Sequence, residues 1–332
     1  MPDESRSLIS EKPPLRLPKA ELHAHLNGSI PPSLVSALLP QGERVTSTTV
    51  LQPVDDMRAY FEPWTVFRRL ATSREDTERI IQVAADFLSA DNVEYAELRN
   101  SVRHIAALNA ISLEESLEWL CSGMDEASAR TGVDLRLIVS LTREGFSDDG
   151  AGAMLDAVRS VAHPRVVGMD LTGDEGIAVP QSAAAVFRRA KDEQGLGVTI
   201  HAGETGPASN IFWAIKDCKA DRIGHGVAAA TDESCLELLR ESGVCVEVCL
   251  TSNLMTRAVP ALDAHPVVKL LESSVEFVLC TDNPQMHLRS LSHEYELFAS
   301  ICPESGGYLQ AQFDVQRRHA FASGGHSGGG TA

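Results

Sequence analysis

The chain has 332 residues, of which 43% are hydrophobic, and its 46 acidic and 29 basic residues give a formal net charge of −17. This length suits one large α/β barrel with a sizeable core. The acidic excess argues against nonspecific binding to nucleic acid or to a membrane surface, although one local basic pocket would still accept a small anionic substrate.

The seven cysteines predict a reducing environment rather than a disulfide framework, because the count is odd and no CxxC pair occurs. Residues 1–16 are predicted to form a flexible segment, which is polar and lacks the apolar core of a signal peptide. No apolar run approaches the length of a transmembrane helix. We therefore expect a cytoplasmic monomer without nucleic-acid or membrane partners.

The first predicted element is a strand at residues 20–27, within "KAELHAHLNGS". Side chains alternate between the two faces of a strand, so one face is apolar and the other is polar. The polar face carries Glu21, His23, His25 and Asn27. Two explanations remain open: an exposed edge strand, or a metal site in which two imidazoles converge on one ion.

Residues 31–90 are too many for a single barrel helix and predict extra helices inserted after the first strand. Their aromatic-rich part, "MRAYFEPWTVFRRL" at residues 57–70, either caps the mouth of a site or belongs to the core.

Further short apolar runs alternate with helical patterns along the chain. The other seven predicted strands are residues 93–100, 134–142, 166–173, 197–204, 222–226, 244–253 and 276–283. The clearest helical patterns are residues 112–131, 180–195 and 232–243. Eight such units predict a (β/α)8 TIM barrel, and the absence of a Gly-rich phosphate turn after an early strand disfavours a doubly wound sheet.

The predicted barrel forms a single domain at residues 17–303. Residues 304–332 are treated as a divergent C-terminal segment. Its Gly-rich end, "SGGHSGGGTA" at residues 323–332, is predicted to be disordered.

Polar residues recur where predicted strands end, which is where barrel enzymes carry their chemistry. Singly, each has an ordinary structural explanation: His201 could be a hydrogen-bonded core histidine, and Asp282 a helix N-cap. Together, the histidines and one aspartate at strand ends form a ligand set that suits zinc best, with iron or cobalt as substitutes. The strand-end residues are His23, His25, His201, Glu204, His225, Asp282 and Asn283.

Six motifs in order, "HAHLNGS", "LTGDE", "HAGE", "RIGHG", "CLTSN" and "TDNP…L…EY", resemble the adenosine deaminase family of metal-dependent hydrolases. They span roughly residues 17–300. The opening "LPKAELHAHLNGS" is most similar to the branch of the family that acts on N6-methyl-AMP. The resemblance implies a TIM barrel with one zinc ion. It also implies hydrolysis at C6 of a purine nucleoside or nucleotide, with release of ammonia or methylamine and an inosine-type product.

Carried over position by position, the resemblance also implies roles for single residues. The implied zinc ligands are His23, His25, His201 and Asp282. Glu204 would donate a proton to purine N1, and His225 would orient and deprotonate the attacking water. His225 or Asp282 would supply the proton that the leaving amine needs. Gly173 would lie beside purine N3, and Asn283 would face purine N7.

Two positions depart from the family's usual residues. Asn27 stands where most nucleoside deaminases of the family carry an aspartate that contacts the 5′-hydroxyl. An amide there would not repel a 5′-phosphate, which predicts a preference for nucleotides. The candidate phosphate partners by neighbourhood are Arg68, Arg69, Arg99 and Arg103. Asn283 likewise stands where most members carry a second aspartate.

Other enzyme classes fit less well. Binuclear hydrolases with a similar fold need a bridging lysine at the end of the fourth strand, and residues 166–173 contain none. Cytidine-deaminase chemistry needs a CxxC pair, which the chain lacks. A deaminase of free adenine and a non-catalytic purine-binding relative remain as alternatives.

Overall fold

The computed structural model describes residues 16–39 and 47–322. Eight parallel strands follow one another in a single sheet, each paired with its sequence neighbours. In chain order they are β1 (Lys19–His25), β2 (Val93–Asn100), β3 (Asp134–Thr142), β4 (Val166–Thr172), β5 (Gly197–Ala202), β6 (Arg222–His225), β7 (Cys245–Val248) and β8 (Phe277–Leu279).

Helices connect the strands and surround the sheet, as a parallel sheet requires if both of its faces are to be buried. The α-helices are α1 (Pro32–Leu38), α2 (Met57–Tyr60), α3 (Trp64–Phe67), α4 (Arg74–Ala90), α5 (Val102–Asn109), α6 (Leu113–Thr131), α7 (Asp148–Val161), α8 (Ala183–Gln194), α9 (Ala208–Lys216), α10 (Glu233–Ser242), α11 (Leu250–Met255), α12 (Val267–Glu272), α13 (Pro284–His287), α14 (Leu291–Ile301) and α15 (Gly306–His319). Short 3₁₀ helices span Asn27–Ser29, Val227–Thr231, Leu262–Ala264 and Pro303–Ser305.

The predicted (β/α)8 barrel with extra helices after the first strand is confirmed. All eight predicted strands occur, and β2 and β3 have the predicted bounds. The largest difference is at β7, which ends at Val248 rather than at residue 253. Residues 250–255 instead turn into α11, and this turn brings polar side chains back over the barrel opening.

The first strand is buried along its whole length, so it is not an exposed edge strand. Its C-terminal end meets the end of β8 through two backbone hydrogen bonds. The N–H of His25 donates to the carbonyl of Asp282 at 2.8 Å, and the N–H of Asp282 donates to the carbonyl of His23 at 2.7 Å. This junction nearly closes the barrel and places His23, His25 and Asp282 side by side.

Helix α15 lies within the segment that the sequence marks as divergent, and it completes the barrel. Its Gln312 accepts from the N–H of Leu279 on β8 at 3.0 Å, and its Gln316 accepts from the N–H of Ala20 on β1 at 2.9 Å. These buried side chains pair backbone groups where β1 and β8 do not pair with each other. All but the last residue of the predicted flexible segment 1–16 lies outside the described residues, as does the predicted disordered tail at 323–332.

The inserted helices belong partly to the core and partly to the barrel opening. Phe67 of α3 is buried in the main apolar cluster, whereas the Trp64 ring lies 5.5 Å from the His25 ring, centroid to centroid. Both interpretations of the aromatic stretch therefore hold, for different residues.

All seven cysteines are buried and free. Across residues 16–39 and 47–322, no helix has both the length and the apolar character needed to cross a membrane.

Candidate metal centre and active site

Four histidines and one aspartate from the ends of four strands meet at the barrel opening. Ligand atoms of His23, His201, His225 and Asp282 all lie within 4.8 Å of one another. The fifth residue, His25, places its Nε2 3.3 Å from both His201 Nε2 and Asp282 Oδ1. Each of the five residues is at most 8% exposed. Buried imidazole nitrogens grouped around one carboxylate suit zinc.

The outward nitrogens of two histidines are held by carboxylates, as is typical of metal-ligating histidines. His23 Nδ1 lies 2.7 Å from Glu247 Oε2, and His201 Nδ1 lies 3.1 Å from Asp170 Oδ1. The Nε2 atoms of both rings therefore point toward the centre. His23 Nε2 is buried and has no hydrogen-bond partner among the described residues. A buried nitrogen left in this way is what a missing metal bond would produce, so these residues fit a zinc ion.

Arg99 forms hydrogen bonds with both of the carboxylates that support these histidines. Its Nη1 donates to Asp170 at 3.1 Å and its Nη2 donates to Glu247 at 2.8 Å. Burial alone would raise the pKa of Glu247, but the guanidinium groups of Arg99 and Arg222 hold that pKa well below its usual value. Both carboxylates can thus remain ionised inside the barrel and accept from the histidines.

Asp282 is fixed through its second oxygen by residues that the sequence analysis did not single out. Oδ2 accepts from Ser252 Oγ at 2.6 Å and from the Tyr60 hydroxyl at 3.2 Å. Tyr60 comes from the inserted helix α2 and is 3% exposed. Burial keeps the pKa of Tyr60 well above 10, so the phenol stays protonated and can donate. Oδ1 is left to face His25.

The backbone of two site residues lies in the left-handed region, with φ values of +67° at His225 and +62° at Asp282. Neither residue is glycine or asparagine, and both are buried. Such conformations cost of order 1–3 kcal/mol and persist where the surroundings fix them, which occurs often at active sites.

A chain of hydrogen bonds sets the proton position on His225. The N–H of Val267 donates to His265 Nδ1 at 3.1 Å, so His265 carries its proton on Nε2 and donates to Asn253 Oδ1 at 3.2 Å. This fixes the Asn253 amide, whose Nδ2 then donates to His225 Nδ1 at 3.0 Å. Burial holds the pKa of His225 well below 6.5, so the ring is neutral. The remaining proton of His225 is therefore on Nε2.

Glu204 lies beside this group with its side chain 12% exposed. Its Oε1 accepts from Thr256 Oγ1 at 3.0 Å and from Asn253 Nδ2 at 3.4 Å. Burial, reinforced by the charge of Asp282, raises the pKa of Glu204 to about 8. The carboxyl group is therefore protonated at neutral pH and can act as an acid.

A cavity of about 490 Å³ opens from the metal-centre residue His25. It contains two of the three predicted substrate contacts, since Asn27 and Gly173 both line it. Asn283 is not among the lining residues. It is 2% exposed, its Nδ2 donates to the Tyr60 oxygen at 3.1 Å, and its Oδ1 lies against Gly28. Its predicted contact with purine N7 stays a prediction.

The four candidate arginines differ in whether they line the cavity and in whether they are paired with carboxylates. Arg99 lies at the inner end of the cavity, where Asp170 and Glu247 neutralise it. Arg69 does not line the cavity, whereas Arg68 and Arg103 do. Neither of these two forms an ion pair with any residue in the described ranges.

Comparison with known proteins identifies the family. The adenosine deaminase family model matches residues 18–321. An adenosine deaminase of Edwardsiella ictaluri is 32% identical over 310 residues, covering 90% of this chain and 92% of the relative. An adenine deaminase of Rhizobium leguminosarum bv. trifolii is 31% identical over 312 residues, covering 92% and 94%. The apo structure of the N6-methyl-AMP deaminase from Arabidopsis thaliana superimposes with a TM-score of 0.81 at 28% identity and covers 93% of each chain.

Proposed function

The chain belongs to the adenosine deaminase family, and we propose that it is a zinc-dependent deaminase of a purine 5′-nucleotide, N6-methyl-AMP or AMP. The enzyme class is that of hydrolases acting on C–N bonds in cyclic amidines, and the reaction is hydrolytic deamination of the adenosine type. In that reaction water adds to C6, the bond from C6 to the exocyclic nitrogen breaks, and the amine leaves with a proton. The product is the 6-oxopurine.

His23, His25, His201 and Asp282 are the residues that would hold the metal. The carboxylate partners of His23 and His201 support this assignment, because they fix the Nε2 atoms toward the centre. Zinc bound there would lower the pKa of water to roughly 7 and so supply a nucleophile near neutral pH.

Glu204 supplies the proton that N1 takes up as C6 loses its aromatic bonding. The group fits this role because both of its described hydrogen bonds end at Oε1. Oε2 is therefore the oxygen that can carry the proton to the ring. A positioned acid of this kind contributes about 10²–10⁴-fold to rate.

His225 orients the attacking water by donating from Nε2. The hydrogen bond from Asn253 to Nδ1 keeps the proton on Nε2, so this ring acts as a donor and we assign it no part in deprotonating the water. The proton that the water loses is taken up by Asp282, whose Oδ1 faces the centre, and passes from there to the leaving amine.

The residues that line the cavity are the evidence for a nucleotide substrate. Its lining includes Arg68 and Arg103, two cations that lack an acidic ion-pair partner among the described residues, although the chain as a whole is strongly acidic. Asn27 lines the same cavity, and because its Oδ1 accepts from Asn100 Nδ2 at 3.3 Å, its own Nδ2 is left to donate to a ligand. A phosphate monoester carries about −1.5 to −2 charge near neutral pH and accepts hydrogen bonds. A free adenine base has no anionic group to pair with these arginines.

Replacing Asn27 with Asp is expected to shift the preference from nucleotide toward nucleoside. A carboxylate about 4 Å from a phosphate opposes each unit of its charge by about 4 kcal/mol at an effective dielectric near 20. The measurement is kcat/KM for AMP and for adenosine in wild type and in Asn27→Asp. Arg103→Ala is expected to reduce kcat/KM for AMP selectively, for the same electrostatic reason.

Arg79→Ala is the matched control, because Arg79 is an exposed arginine of α4 that does not line the cavity. The nucleotide proposal fails if wild type prefers adenosine, or if Asn27→Asp and Arg103→Ala leave the preference unchanged. A wild-type preference for adenine would favour the free-base alternative.

A further inference from the structure

The backbone of the loop that follows β5 surrounds one carboxylate, which comes from the loop that follows the neighbouring strand β4. Glu175 Oε1 accepts from the N–H groups of Glu204, Thr205 and Gly206 at 2.6, 3.2 and 3.3 Å. Its Oε2 accepts from the N–H of Gly203 at 2.8 Å. Successive backbone N–H groups that converge in this way form an anion-binding nest.

A side chain and two glycines complete the nest. Asn210 Nδ2 donates to Glu175 Oε2 at 2.7 Å, which brings the number of donors on this carboxylate to five. Gly203 has a φ of +71°, which lets the loop turn. At Gly206, a Cβ would lie 2.5 Å from both Glu175 Oε2 and Asn210 Nδ2, so a larger residue would displace these two side chains from their present positions.

Glu175 connects the two loops that are expected to touch the same ring of the purine. It lies two residues after Gly173, which lines the cavity, and it binds the backbone N–H of Glu204 directly. Gly173 is expected beside N3 and Glu204 beside N1, on either side of C2. We propose that Glu175 is a positioning residue, which fixes the spacing between these loops and so holds the Glu204 carboxyl against N1. This inference rests on the proposed function for the role of Glu204.

The expected defect follows from where the acid acts. N1 takes its proton as the transition state forms, so a misplaced Glu204 lowers kcat more than it raises KM. Misplacement by about 1 Å can cost on the order of 10²-fold in rate. Removing the carboxylate also leaves five donors that a small external anion can satisfy.

The test is Glu175→Ala, assayed with and without formate, with zinc content and KM measured in the same preparations. We expect kcat of Glu175→Ala to fall by about 10²-fold. Its zinc content is expected to be normal and its KM nearly unchanged. Formate is expected to restore part of kcat in a dose-dependent manner, because it can occupy the vacated nest. Amide hydrogen exchange at residues 203–206 is expected to rise in the variant and to fall again with formate, whether or not substrate is turned over.

Asp174→Ala is the matched control, since Asp174 precedes Glu175 in the same loop and its carboxylate accepts from Gly176 N–H rather than from residues 203–206. It is expected to retain near-normal kcat and to show no response to formate. If Glu175→Ala does not fold, Glu175→Gln is the replacement test, because its side-chain amide keeps one acceptor oxygen for the nest. This variant is expected to bind zinc normally and to lose part of its kcat.

The proposal is overturned if Glu175→Ala, or Glu175→Gln in its place, keeps wild-type kcat, or if exchange at residues 203–206 is unchanged. It is also overturned if formate has no effect on Glu175→Ala, or if Asp174→Ala loses as much activity. Failure of the proposed function would look different, since wild type itself would then lack deaminase activity while the exchange result would still stand.

Discussion

Glu204→Gln is expected to bind zinc normally and to lose about 10²–10⁴-fold in kcat. Glutamine is close to glutamic acid in size and can still accept from Thr256, but its amide cannot transfer a proton to N1. The measurements are kcat for the best substrate and zinc per chain, in the variant and in wild type. A kcat within threefold of wild type would remove Glu204 from the mechanism.

The pH profile gives a second test of the same residue. Burial raises the pKa of Glu204 to about 8, so the acid is protonated below that pH and loses its proton above it. Wild-type kcat/KM is therefore expected to fall as pH rises through about 8, because only the protonated form can donate. The alkaline decline should be missing from the residual activity of Glu204→Gln.

His25→Ala is expected to lose most of its bound zinc, and His225→Ala to keep it, although both variants lose most of their activity. Distance alone would favour His225, since the group of four ligand atoms within 4.8 Å of one another includes one from His225 and none from His25. The hydrogen bonds favour His25 instead. Asn253 donates to His225 Nδ1, which leaves a protonated Nε2 that has no lone pair to offer a metal.

Zinc content by elemental analysis, after dialysis under identical conditions, checks this prediction. Wild type is expected to hold about one zinc per chain and to lose activity on chelation. The opposite result, with His225→Ala empty and His25→Ala loaded, would make His225 the ligand and would revise the hydrogen-bond chain through His265. Two tightly held ions per chain would contradict a mononuclear site.

Residues at strand ends were predictable from the sequence because the barrel fixes their place. A polar side chain that follows an apolar run must emerge at the same opening as its counterparts from the other strands, so His201, His225 and Asp282 could be grouped without coordinates. The extra helices after the first strand were predictable from segment length alone.

The partners of those residues were not predictable, because they come from distant parts of the chain. In the sequence, Tyr60 is one of several aromatic residues in the inserted segment. Only the fold places its hydroxyl 3.2 Å from Asp282 Oδ2. The sequence also gave no means of ranking the arginines. Arg99 is neutralised by carboxylates of β4 and β7, whereas Arg103 lies on the cavity wall.

Glu175 and Asn253 show a related limit. Both lie in motifs that were recognised, "LTGDE" and "CLTSN", yet their function is to hold another residue rather than to touch substrate. Glu175 acts through backbone N–H groups, which carry no sequence signal at residues 204 and 205. Asn253 acts through the orientation of its amide, which is set by His265 twelve residues later.

The most direct test of the proposed activity is a substrate panel for the zinc-loaded wild-type protein: N6-methyl-AMP, AMP, adenosine and adenine. Ultraviolet change and released methylamine or ammonia are measured together. We expect one amine per 6-oxopurine formed, and the highest kcat/KM for a 5′-nucleotide. Hydrolysis of none of the four would contradict the proposed activity, and a highest kcat/KM for adenine would contradict the assignment of a nucleotide substrate.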